Sequence, residues 1–119
     1  MLYQGSVSNY SIQIHSSTWT GPFGYTRIVV LAPIALSGGG SGLAFLDFVP
    51  AGRPVPDRSK RGGTTDPIVW DLFLPMDDYA AIVDLVRNEK RINFYFDDAT
   101  PDGWAVTTGS ELVGQDQGK

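Results

Sequence analysis

A period of two runs through most of this chain, and it limits the fold more than any other feature. In Ile92–Phe96, Ile92, Phe94 and Phe96 alternate with Asn93 and Tyr95. Successive side chains of a strand point to opposite faces, so this pattern predicts a strand with one apolar face. The same alternation places Tyr10, Ile12 and Ile14 opposite Ser11, Gln13 and His15. It sets Ile68, Trp70, Leu72 and Leu74 opposite Val69, Asp71 and Phe73, and Trp104 and Val106 opposite Ala105 and Thr107. The stretch from Tyr25 is rich in β-branched residues and apolar on both faces towards its end, which predicts a central strand; that from Gly42 is apolar on both faces except at Asp47. A weaker first strand covers Leu2 to Val7.

One segment departs from this period. Tyr79, Ile82, Val83 and Val86 fall at i, i+3, i+4 and i+7, one apolar stripe on a helix spanning about 77–88. Asp77 and Asp78 stand at its start, where side-chain oxygens can cap orphan N–H groups; Arg87, Lys90 and Arg91 stand at its end. Six or seven strands with one helix predict a mainly β fold, an antiparallel β-sandwich or open barrel with the helix between late strands. The helix stripe is expected to pack against the mouth of the sheet. Parallel βαβ architecture would need helices between most strands.

The breaks are equally legible. The glycine-rich run 37–42 separates two apolar strands and reads as a hairpin turn. Residues 50–67 are rich in Pro, Gly, Ser, Thr and charge, with no strand or helix pattern, and read as a long polar loop. Residues 114–119 read as a polar, flexible tail. The 119 residues fit a single domain, 1–119.

Composition narrows the chemistry. The chain has no cysteine, which removes disulfides, thiolate nucleophiles and cysteine-bound metals. That fits a cytoplasmic setting, with secretion after removal of a leader left open. A net charge of −4 argues against nucleic acid as partner. The longest apolar run, Ile28–Leu36, is interrupted by Pro33 and is far shorter than the roughly 20 residues a membrane helix needs. No basic and apolar leader stands at residues 1–10.

Four groups of residues could carry a site. Asp97, Asp98 and Asp102 lie in a run whose Asp98, Thr100, Asp102 and Gly103 match the opening of a calcium loop. The position that should supply a bidentate glutamate is Gly109, so a hairpin turn is preferred over a metal site. Trp19, Phe23 and Tyr25 form an aromatic cluster in a Gly/Pro-containing stretch, able to stack on a sugar or anchor a partner. Arg53, Arg58, Lys60 and Arg61 make a basic block on an acidic body, a candidate partner-binding loop. Asp47 and Asp71 interrupt apolar strands, and His15 is the one histidine. A buried aspartate is costly unless paired, so either could meet a base such as Arg27 or line a catalytic cleft. A partly wet face or an edge strand is the preferred account of both aspartates.

These readings favour a non-enzymatic binding or assembly module acting through protein–protein contacts, with self-association into a homo-oligomer expected. The alternatives are a carbohydrate or calcium-assisted binder and, last, a small hydrolase. No catalytic residue and no cofactor is assigned, calcium being the one candidate ion.

Overall fold

The structure is a computed structural model that describes residues 2–16, 26–56, 66–89, 91–97 and 103–108, with the backbone of 59–61. Its strands are β1 (Leu2–Val7), β2 (Tyr10–Ile14), β3 (Arg27–Leu36), β4 (Ser41–Val49), β5 (Ser59–Arg61), β6 (Ile68–Pro75), β7 (Ile92–Asp97) and β8 (Trp104–Thr108). A short 3-10 turn, Met76–Asp78, leads into the helix α1 (Tyr79–Asn88). The mainly β fold with one helix between late strands is therefore present, in its open-barrel form. All strands belong to one sheet, ordered β5-β6-β4-β3-β1-β7-β8, with β2 paired to β3.

The sheet curls into a half-barrel. β6 and β7 are four strands apart in its order, roughly 19 Å if the sheet were flat. Yet the Trp70 ring of β6 lies 5.0 Å from Phe94 and 5.6 Å from Phe96, both on β7, and 5.5 Å from Tyr3 on β1. Only strong curvature brings those rings together. The inner face so formed holds Val29, Leu31, Ile34, Leu46, Phe48 and Trp70, all inaccessible to solvent.

The helix covers one end of this interior. Its predicted stripe is the packed one: Val86 is buried, and Tyr79, Ile82 and Val83 lie against the core. Tyr79 meets Phe48 edge-on at 5.1 Å, with the Arg27 guanidinium 5.8 Å from its ring centroid. The expected aspartate cap is not made. Asp78 adopts helical angles and its side chain accepts no cap hydrogen bond, because the 3-10 turn winds directly into the helix.

β3 holds the fold together. β1 and β2 lie end to end along it, both antiparallel to it, Gly5–Val7 opposite Ile34–Leu36 and Tyr10–Ile14 opposite Arg27–Leu31. The join, Ser8–Asn9, faces Ala32–Pro33, where Ser8 N–H donates to the Pro33 carbonyl and Ala32 N–H donates to that of Asn9, both at 3.1 Å. Against β4 the same dipeptide is a bulge, where the register shifts between Leu31 and Ile34. A proline has no N–H to give a ladder, so a central strand accommodates it at a bulge.

One pairing departs from the antiparallel expectation: β4 and β6 run parallel. A parallel connection needs a crossover of a dozen or more residues, usually a helix. Here 50–67 makes it, so the long polar segment returns the chain from the end of β4 to the start of β6. Within it the backbone of 59–61 forms β5 against β6. Backbone pairing needs no hydrophobic period, which is why this strand leaves no mark in the side-chain pattern.

Candidate functional site

Two exposed features stand out, and both depend on how β1 and β2 share β3. The first is the edge of β2, which pairs with β3 alone among the described residues. Ala32 N–H donates to the Asn9 carbonyl, and His15 N–H donates to that of Thr26 at 2.7 Å. In an antiparallel ladder the hydrogen-bonded positions alternate. Odd-numbered residues of β2 therefore bond to β3, and Tyr10, Ile12 and Ile14 turn their N–H and C=O groups to the open side. Tyr10 N–H is engaged by its own neighbour, the Asn9 carboxamide oxygen, at 2.9 Å. Ile14 has 62% of its surface exposed. Tyr-Ser-Ile-Gln-Ile carries no charge and no proline, the usual devices that blunt an exposed edge.

The second feature is a cleft at the end of the half-barrel opposite the helix. Its apolar part, about 240 Å³, is lined by Leu2, Tyr3, Leu36 and Ile68 and floored by the Gly38–Gly39 turn. It shares Gln4 and Ser37 with an open polar groove of about 380 Å³ on the outer face, lined also by Ser6, Asn93 and Tyr95. Ser37 donates to the Gln4 carbonyl through both its N–H and its hydroxyl, each at 2.9 Å, which ties the hairpin to β1. The Asn93 carboxamide donates to the Thr108 carbonyl at 3.5 Å. Gln4, Ser6 and Tyr95 line the groove beside it. No single segment signals this groove: its lining comes from β1, β3, β7 and the turn after β3. The polar phases of Leu2–Val7 and Ile92–Asp97 contain half of it, but only the β1–β7 pairing places Gln4 beside Tyr95 and Ser6 beside Asn93.

Asp66 fixes the turn beside this cleft. Its carboxylate accepts from the Ser41 N–H and the Ser41 hydroxyl, each at 2.8 Å. Those two donors hold its pKa below the ordinary carboxylate value. Because the folded pKa is depressed, the contribution of this tie is present above the unfolded pKa and is lost as pH falls through the folded value. An NMR pH titration is expected to show the Ser41 amide shifting with a midpoint below that of an exposed reference aspartate. A midpoint at or above the reference would mean the tie is not made.

The residues singled out in the sequence have varied fates. Trp19, Phe23, Tyr25, Arg58, Asp98 and Asp102 lie outside the described residues. Arg53 is exposed in the turn after β4, its N–H donating to the Pro50 carbonyl at 3.3 Å; Lys60 and Arg61 are on β5. Asp97 ends β7, and its N–H donates to the Gly103 carbonyl at 2.8 Å, closing the β7–β8 hairpin that the Asp/Pro/Gly run suggested. Among the described residues, no group of three or more His, Asp or Glu is placed to hold a metal. No helix among them is long and apolar enough to cross a membrane.

Asp47 and Asp71 overturn the preferred account of them. Both are buried, at 0% and 7% exposure, and their strands are interior to the sheet. The face is not wet, and neither strand is an edge. They are diagonal neighbours on the face opposite the half-barrel interior, since Phe45 pairs with Asp71 and Asp47 with Phe73. Arg27 cannot serve them, because it shares the inner face with Val29 and lies over Tyr79. His15 is half-buried, its Nε2 3.3 Å from Gln13 Oε1, two strands from Asp47. Neither the cleft, the groove nor the cavity of about 120 Å³ beside the helix C-terminus is lined by Asp47, Asp71 or His15. Comparison with protein-family models, with characterised proteins and with solved structures finds no match to the chain.

Proposed function

We propose that this chain is a non-enzymatic binding or assembly module that works through protein–protein contacts, accepting a partner strand at the edge of β2. The observation that carries this reading is the row of outward N–H and C=O groups on an uncharged edge that ends in an exposed Ile14. An extended segment added there gains main-chain hydrogen bonds, and the alternating side chains supply selectivity.

Amide hydrogen exchange of the dilute chain tests it. Ile12 and Ile14 are expected to exchange at least about tenfold faster than Ser11 and Gln13, which bond to β3. An excess of a partner strand, with the β2 sequence itself as probe, is expected to slow them. If Ile12 and Ile14 are already protected in the dilute chain, the edge is covered and the reading fails.

A second reading, carbohydrate binding, is favoured by the outer-face groove, which brings the polar residues Gln4, Ser6 and Asn93 together with the amphipathic Tyr95. In the same samples, added mono- and disaccharides are expected to shift the side-chain amide signals of Gln4 and Asn93. No shift at tens of millimolar sugar, far above a typical pocket's working range, removes it.

A further inference from the structure

The side chains of the β2 edge match those of a second copy of the same chain laid antiparallel against it; this inference rests on the edge-binding reading above. The residues that turn their backbone groups outward are Tyr10, Ile12 and Ile14, evenly spaced about Ile12. We propose that β2 pairs antiparallel with β2 of a second copy about a two-fold axis at Ile12, joining two half-barrels through one continuous sheet. In that register Ile12 faces Ile12 of the second copy, and Tyr10 faces its Ile14. Every outward N–H and C=O then meets a partner; the one bond exchanged is that of Tyr10 N–H to its neighbour Asn9.

The side chains agree with the backbone. On the inner face the Tyr10 ring of each copy covers the exposed Ile14 of the other, and the two Ile12 side chains adjoin. On the outer face Ser11 lies beside Gln13 of the second copy, so polar residues meet polar residues. β2 itself brings no charge to the seam; Glu89 lines the cavity at its Tyr10 end. Such an interface is isologous, and a two-fold pairing uses up both edges and stops at two copies. A five-residue seam is only about 17 Å long and falls short of the roughly 1,200 Å² of a standard stable interface. The dimer is therefore expected to be weak, forming at tens to hundreds of micromolar.

Analytical ultracentrifugation of the full chain from about 10 μM to 1 mM tests the association across the range a weak interface requires. The expected result is a rise from 12.9 kDa toward twice that mass. Ile14→Lys places a charge on a residue already mostly exposed, so the fold is expected to survive, confirmed by its melting temperature and circular dichroism. It is expected to raise the dissociation constant by about tenfold or more.

The register has its own test, clean because the chain has no native cysteine. Ser11→Cys mixed with Gln13→Cys is expected to form a disulfide-linked dimer. Those positions face each other at a non-hydrogen-bonded pair, about 4.5 Å between Cα atoms, within disulfide range. Ser11→Cys alone is expected to crosslink far less, its own symmetry mate lying diagonally at about 7–8 Å.

A dimer indifferent to Ile14→Lys, or equal crosslinking with Ser11→Cys alone, overturns the proposed pairing. So does a strict monomer at 1 mM. A monomer whose Ile12 and Ile14 amides exchange fast overturns only the second copy as partner and leaves edge binding standing; slow exchange in that monomer defeats both.

Discussion

Trp70→Ala is expected to remove about 3–5 kcal/mol of stability, the usual cost of emptying a large buried aromatic site. A domain of this size holds about 5–15 kcal/mol in total, so the variant would sit near the edge of folding. The expectation rests on position as much as on size. Trp70 is fully buried, and its ring is the bridge by which β6 touches β7 and β1 across the half-barrel. Without it, the curl loses the contact that closes it. Trp70→Phe is expected to cost much less, about 1–2 kcal/mol, because it retains an aromatic ring and removes a buried indole N–H that has no hydrogen-bond partner among the described residues. Chemical denaturation of both variants measures the difference. Equal losses for Ala and Phe would show that the N–H, not the ring, is what the site requires. The same ring explains Gly42, where a Cβ would lie 2.6 Å from Trp70 Cζ3.

Gly5→Ala is expected to cost about 3 kcal/mol, at the upper end of the usual range for forcing extra volume into a packed site. Gly5 sits in the middle of β1, paired with Leu36 of β3 and Phe94 of β7. A Cβ there would collide with the carbonyl oxygen of Ala35, a backbone atom held in the ladder next to the bulge. A flexible side chain could move aside; the backbone of the central strand cannot without breaking pairs on either side. Thermal denaturation is the measurement. A loss below about 0.5 kcal/mol, typical of neutral surface changes, would show that β1 and β3 do not approach so closely. The groove lining should respond as well, because Gln4 and Ser6 flank Gly5 and take their places from the same register.

Much of the architecture is readable from side-chain periodicity, because local alternation is caused by local geometry. The inner-face phases of β3, β4, β6 and β7 are the alternations at Val29/Leu31, Ala44/Leu46/Phe48, Ile68/Trp70/Leu72/Leu74 and Ile92/Phe94/Phe96. The helix stripe at Tyr79/Ile82/Val83/Val86 is likewise a local pattern that packing then uses. Gly39 and Gly40 take the positive φ that the glycine-rich turn suggests, at 99° and 83°. Asp47 and Asp71 show the limit of such reading. Their types mark an anomaly, but whether the anomaly is wet, at an edge or buried depends on which strands flank them. The candidate sites were less legible still. Gln4, Ser6, Asn93 and Tyr95 look like the ordinary polar phase of two separate strands, and β2 looks like any other alternating segment.

By itself, then, the order of residues determined which segments extend, β5 apart, which one coils, where the chain turns and which side of each of those strands seeks the interior. All of these follow from interactions over a few residues. Tertiary structure alone decided that β4 and β6 run parallel, that the sheet closes on Trp70, that β1 and β2 share one partner strand, and that β2 pairs on one side only among the described residues. Those outcomes depend on the path of the chain between distant segments, and a backbone hydrogen bond is indifferent to the side chains on either end of it.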